Sequence, residues 1–210
     1  MGKVTGSRGS YAKTAERRRD IAQAVLDLVV EKGHRAVVTA DVAKRAGLSE
    51  PGVLYHFASK DELLLAALQH FDDVELTALP EGESILRARE RAVAGVERTN
   101  IVRLHTAMSG EASDPTHPAH EYFKQRWRRS NKLMADSIRQ LQADGAVGPD
   151  VDADSASRLI HATWEGLQNQ WLAEPGFDIG AELEKAIVAL LGYPVEHVVG
   201  SPPAGRSRAR

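Results

Sequence analysis

Apolar residues along this chain return at intervals of three and four almost throughout, and no stretch alternates apolar with polar residues long enough to make a strand. Side chains three or four apart share one face of an α-helix, so this period predicts an all-α chain of about nine helices. Ile21, Ala24, Val25, Leu28 and Val29 mark the first, with Thr14 as its cap and Gly33 as its stop. Thr39 caps a short second helix through Ala46, Gly47 turns the chain, and Ser49 caps a third that ends near His56 or Phe57. Pro51 is tolerated in the first turn of that helix, where an amide has no helical acceptor. Ser59 with Glu62 forms a capping box and opens a long fourth helix, striped by Leu64, Ala67, Leu68, Phe71 and Val74 and broken at Pro80 and Gly82. Further helical patterns cover residues 83–99, 101–111, 118–143, 152–173 and 179–191, separated by Pro, Gly and Asp turns. The predicted organisation is a flexible arm over 1–13, a small three-helix domain over 14–60, a larger helical domain over 61–195 and a disordered tail over 196–210.

Charge is unevenly divided. Through Lys60 there are eleven Lys and Arg against six acids, so a segment of net charge plus five precedes a remainder of minus seven. A basic head on an acidic body orients a molecule on phosphates. No apolar run reaches the roughly 20 residues a bilayer requires, and Gln23 and Asp27 interrupt the most apolar one, so a soluble, cytoplasmic protein is expected. The chain has no cysteine, which excludes disulfides, thiolate metal sites and cysteine nucleophiles.

Three short helices with a three-residue glycine turn between the second and third make a helix-turn-helix. A recognition helix must enter a major groove about 12 Å wide, so it needs packed support and an outer face free of bulky apolar groups. Val42, Leu48, Leu54 and Phe57 are the expected support, and Ser49, Glu50, Gly52, Val53, Tyr55 and His56 the expected outer face. Gly52 permits close backbone approach, Val53 suits a thymine methyl, and Glu50 suits a cytosine amino group. Tyr55, His56 and Thr39 suit phosphate oxygens, and Lys60 adds charge at the start of the fourth helix.

The string from Thr39 to Leu65, TADVAKRAGLSEPGVLYHFASKDELLL, closely resembles the DNA-binding signature of the tetracycline-repressor family, and the likeness extends over about Thr14 to Leu65. The resemblance implies DNA-facing positions for Thr39, Ser49, Gly52, Val53, Tyr55, His56 and Lys60, a ligand-binding body linked through the fourth helix, and a dimeric bundle made by the last two helices. Glu50 and Pro51 stand where the family commonly has Lys and Gly, so base preference does not transfer. The expected partners are a double-stranded DNA operator, a small-molecule effector and a second copy of the chain, with no membrane and no cofactor.

Other motifs carry less. Asp150, Asp152 and Asp154 space like the start of a calcium loop, but Ser155 replaces the glycine such a loop needs, and helix capping explains them better. His120 and Glu121 begin a zinc-protease string that ends in Lys124. His105 with Glu111, and His161 with Glu165, lack any accompanying nucleophile or phosphate loop, so an enzyme, such as a metal-dependent helical one, is a distant alternative. In the larger domain His105, Met108, Phe123, Arg126, Trp127, Met134, Thr163, Trp164, Glu165, Leu167, Asn169 and Trp171 are the expected pocket residues. A filled bundle with no effector would use the same apolar side chains. Leu159, Thr163, Gly166 and Gln170, with Leu183, Ile187, Leu190 and Leu191, are the expected dimer seam.

Overall fold

The computed structural model describes residues 6–77 and 88–192, and among these every regular element is helical. They are α1 (Gly6–Lys32), a 3-10 turn (His34–Ala36), α2 (Thr39–Ala46), α3 (Glu50–His56), α4 (Lys60–Thr77), α5 (Ala88–Glu97), α6 (Thr99–Glu111), α7 (His120–Ala143), α8 (Ala153–Ala173) and α9 (Ile179–Leu191). The all-α expectation is met. The Pro80–Gly82 break and the tail over 196–210 lie outside the described residues.

α1 begins earlier than expected. Residues 6–13 continue the helix instead of forming an arm, and Thr14 lies inside it rather than at its cap. The stretch contains no proline, and Ala12, Lys13, Ala15 and Glu16 propagate readily from a helix already nucleated by its buried half. That half is anchored by Ile21, Val25 and Val29, each 0% exposed.

The described residues divide into two compact units. The first gathers α1 to α4, α6 and the start of α7 as far as Lys124. Here α4 and α2 pack on α1, and α6 packs on both α1 and α4. The core holds Leu28, Val37, Val42, Leu63, Leu68, Leu104 and Phe123. Half of the expected capping box forms: Ser59 Oγ accepts from the Glu62 amide at 3.1 Å, while Glu62 Oε2 reaches one residue past the cap and accepts from the Ala58 amide at 2.8 Å instead of that of Ser59. The Tyr122 hydroxyl donates to the buried Asp72, tying the first turn of α7 to α4.

The second unit holds α5, α7 from Gln125, α8 and α9. Its core is Met134, Ile138, Ile160, Leu183, Ile187 and neighbours, with α9 laid against α5 and α8. Gly180 permits the closest approach, since a Cβ there would sit 2.8 Å from Val93 Cγ2. Arg89 on α5 pairs with the buried Glu184 on α9 at 3.2 Å. Asp152 caps α8 by accepting from the Asp154 and Ser155 amides at 3.0 and 3.1 Å, and Asp154 receives Arg139 at 2.6 Å.

Candidate DNA-binding surface

Gly47 adopts φ 65°, a left-handed conformation that a residue with a Cβ rarely takes, and so turns the chain from α2 into α3. Ser49 Oγ then accepts from the Gly52 amide at 3.2 Å and starts α3. A Cβ at position 52 would meet that oxygen at 3.3 Å, so glycine keeps the cap tight. Val53 and Phe57, four residues apart, turn inward at 0% and 2% exposure. Leu54 and Tyr55 turn outward at 47% and 84%. Glu50 is exposed beside them, and His56 is half-buried with its ring edge-on to Tyr55 at 5.2 Å.

Two expectations are corrected here. Val53 supports α3 from within and cannot meet a base, whereas Leu54 occupies the outer face. The two apolar residues are adjacent, and in a helix this short the phase is set by the Ser49 cap and by packing on α2. Thr39 is the first residue of α2, not its cap; Val38 takes the cap position and offers no side-chain bond.

The surface is held from α1. Arg18 donates through Nη1 to the His56 carbonyl, and its guanidinium carbon lies 4.0 Å from the centroid of the Phe57 ring. This cation at the C-terminal end of α3 complements the helix dipole. Arg45 grips Glu31 with two bonds of 2.6 and 2.7 Å, and Lys32 pairs with Asp41, so α2 is clasped to α1 twice. The hydrogen bond from Arg45 holds the Glu31 carboxyl below its ordinary value, and that from Lys32 does the same for Asp41. Exposed Lys60 donates to the Arg35 carbonyl at 2.9 Å. Burial lowers the pKa of His34, with the charges of Arg35, Lys60 and Arg103 adding to the effect. Part of the basic surplus read from the sequence thus braces the fold, and neither Arg18 nor the double clasp carries a local sequence signal.

The expected pocket residues fall in both units. His105, Met108 and Phe123 belong to the first, where His105 meets the Phe123 ring edge-on at 5.2 Å and the other two are buried. The remainder belong to the second. There Trp127 Nε1–H donates to Glu165 Oε1 at 2.8 Å, Trp164 lies parallel to His161 with centroids 6.5 Å apart, and Arg91 stands over Trp164 at 5.2 Å. Leu167 and Trp171 flank the apolar core, Met134 is inside it, Thr163 donates to the Leu159 carbonyl, and Asn169 is exposed.

The expected dimer residues separate as well. On α8, Leu159 is 50% exposed, Gln170 is exposed, and a Cβ on Gly166 would meet nothing within 4 Å. On α9, Leu183, Ile187 and Leu191 are at most 3% exposed and Leu190 packs against the same core. The α9 stripe is therefore corrected from a seam between copies to an interior face packed on α5 and α8. Among the described residues no group of three or more His, Cys, Asp or Glu is placed to hold a metal.

Residues 21–67 match the family model for bacterial regulatory proteins of the tetR family. The chain is 30% identical over 151 residues to the HTH-type transcriptional repressor Rv3405c of Mycobacterium tuberculosis, covering 72% of this chain and 69% of that one. A solved structure of a putative TetR-family transcriptional regulator from Rhodococcus sp. superposes with a TM-score of 0.63 at 26% identity, over 84% of this chain and 99% of its own. A putative transcriptional regulator from Saccharomonospora viridis, solved in complex with choline, does so with a TM-score of 0.61 at 25% identity, over 84% and 98%. The helix-turn-helix with its exposed recognition face, the family match and these relatives agree, and the chain belongs to the tetR family as a DNA-binding transcriptional regulator, not an enzyme.

Proposed function

We propose that this regulator is a repressor that binds a pseudopalindromic operator as a homodimer and is released by a small apolar or aromatic effector. The observation that carries the DNA half is Tyr55, an aromatic side chain left 84% exposed beside Leu54 on a helix whose opposite face is buried. Such exposure on a braced helix suits a partner that covers it. Glu50, Tyr55 and His56 are the base- and phosphate-reaching groups in this reading, with Thr39, Ser49, Gly52 and Lys60 beside them. Two copies place recognition helices in successive major grooves about 34 to 36 Å apart, or a multiple of that. The α8 face of Leu159, Thr163, Gly166 and Gln170 is the seam, since its small residues are open in the single chain. A cytoplasmic location follows from the DNA target; no helix among the described residues is long and apolar enough to cross a membrane.

Effector control draws support from the polar and aromatic groups on α5, α7 and α8, and from the choline-bound relative, whose ligand does not carry over. The second reading, an effector-free regulator, draws on Met134, which is fully buried in the second unit's core as a filled bundle requires. Selection of bound sequences from random DNA tests the main reading, with an inverted repeat expected. Gly166→Arg should turn a dimer into monomers in light scattering and abolish specific binding while the first unit stays folded. A monomeric wild type, or selected DNA lacking two half-sites, would refute it.

A further inference from the structure

The outer face of α3 holds no Lys or Arg. Leu54 and Tyr55 follow Pro51 by three and four residues, so the three are neighbours on the helix surface, and all are exposed, Leu54 at 47% and Tyr55 at 84%. Exposed Glu50 lies one turn before Leu54. The cations that flank α3 in sequence, Arg45 and Lys60, sit on α2 and α4 and bond to Glu31 and to the Arg35 carbonyl. His56 is half-buried, edge-on to Tyr55.

In the major groove guanine presents only acceptors and is read by Arg or Lys, whereas adenine presents an acceptor beside a donor and is read by Asn or Gln. α3 contains none of these four residues. It offers apolar surface and one carboxylate instead. A carboxylate only accepts, so the guanine edge and adenine N7 repel it and the cytosine amino group suits it. Leu54 and Pro51 have nothing to give a polar edge but fit the C5-methyl of thymine. An acid carried in among phosphates raises the energy of every complex in which it meets no donor, which makes it a device for discrimination.

We propose that α3 reads pyrimidine edges: Leu54, backed by Pro51, recognises a thymine methyl, and Glu50 recognises a cytosine amino group within about two base pairs of it. That spacing is the reach of side chains about 5 to 6 Å apart on bases stacked about 3.4 Å apart. The proposal rests on the operator reading, which it deepens by naming the bases.

The test uses the full chain and the duplex it selects from random DNA, altered one base at a time without changing the pairing. Uracil for thymine removes the C5-methyl, N4-methylcytosine blocks the outward amino hydrogen, and 7-deazaguanine and 7-deazaadenine remove the purine N7. At one position in each half-site uracil should weaken binding about fourfold, the worth of a buried methyl group. Within two base pairs of it, N4-methylcytosine should weaken binding about tenfold, as loss of a hydrogen bond to a charged group does. The deazapurines should have less than about a twofold effect. Leu54→Ala should bind thymine and uracil duplexes alike. Glu50→Ala should bind random DNA more tightly than wild type, lose the preference for cytosine and tolerate N4-methylcytosine, and Glu50→Gln should prefer adenine there. Circular dichroism verifies that each variant is folded, and the altered bases test the wild type directly. Indifference of the wild type to uracil or to N4-methylcytosine, a larger loss with the deazapurines, or a Leu54→Ala protein that keeps the full uracil penalty would each overturn the proposal. A selected sequence with a single half-site read through its pyrimidines upholds it and refutes the paired operator. An inverted repeat read through purine N7 does the reverse, and failure to select any sequence refutes both.

Discussion

α3 and α9 are held in opposite ways. α9 buries Ile179, Gly180, Leu183, Glu184, Ile187 and Leu191, so its position follows from the core it helps to make. α3 buries Val53 alone within its span and depends on its ends: the Ser49 cap, Phe57 just beyond it, and Arg18 reaching from α1 to the His56 carbonyl. A helix that offers its face to a partner cannot also use that face for packing. It has to be placed by its termini, which makes α3 a helix whose side chains can change with little structural consequence and whose supports cannot.

The largest effect should therefore come from α9. Leu183→Ala removes a fully buried side chain from the α5, α8 and α9 contact and should lower unfolding free energy by about 2 to 5 kcal/mol. Gly180→Val tests the same packing from the other side by overfilling it, at a cost of about 1 to 3 kcal/mol, because even a Cβ would crowd Val93. Urea unfolding measures both. If Leu183→Ala leaves stability unchanged but splits the dimer, α9 is a seam after all and the comparison fails.

On α3 the same kind of truncation should have a different consequence. Tyr55→Ala should shift stability by less than about 0.5 kcal/mol, while operator affinity falls by about 1.5 to 3 kcal/mol if the hydroxyl meets a phosphate. Lys60→Ala should weaken binding to every sequence alike and lower the salt dependence by about one ion per half-site. Binding titrations across salt concentrations decide between them. A Tyr55→Ala protein that unfolds readily would mean that the outer face has a structural role.

The comparison also explains which parts of the molecule were legible in the sequence. The bounds predicted for α9 coincide with the observed helix, because Asp178 and Gly192 punctuate a clean apolar stripe. What covers that stripe was not legible, since periodicity is the same whether the partner is α5 of the same chain or a second copy. The helix-turn-helix was legible from Gly47, Ser49 and the local charge. The phase of α3 was not: Val53 and Leu54 are adjacent and equally apolar, and a rotation of about 100° exchanges their roles. Arg18 lies 38 residues from the carbonyl it holds and is one of three consecutive arginines, so only the folded chain singles it out.

Arg18 gives a smaller, more selective prediction. Arg18→Leu should leave the first unit folded but release the end of α3, lowering operator affinity roughly fivefold, an effect of about 1 kcal/mol. Arg18→Lys, which keeps charge but not the planar contact over Phe57, should fall between the two. The salt dependence distinguishes positioning from contact. Unlike Lys60→Ala, Arg18→Leu should leave the slope unchanged, and a slope reduced by one ion per half-site would make Arg18 a phosphate ligand instead.

The smallest effect belongs to the clasp that carries α2, and through it α3. Glu31 and Asp41 titrate below their ordinary values because Arg45 and Lys32 bond to their charged forms. A carboxyl with a folded pKa below its unfolded one contributes stability in full above the unfolded value and loses it as pH falls through the folded value. The contribution of the clasp should thus be constant around neutrality, begin to decline near the ordinary carboxylate range of about pH 4, and be lost once pH has fallen through the lowered folded values. Both pairs face solvent, so salt should weaken it further. The Glu31→Gln, Asp41→Asn double variant should be slightly less stable than wild type at neutral pH and indistinguishable from it in acid. If urea titrations give the same gap at both ends, the carboxylate charges contribute nothing, and α2 is held to α1 by Val42 and Ala43 alone. α3 would then rest on apolar packing and Arg18, and its termini would matter more than the clasp beneath it.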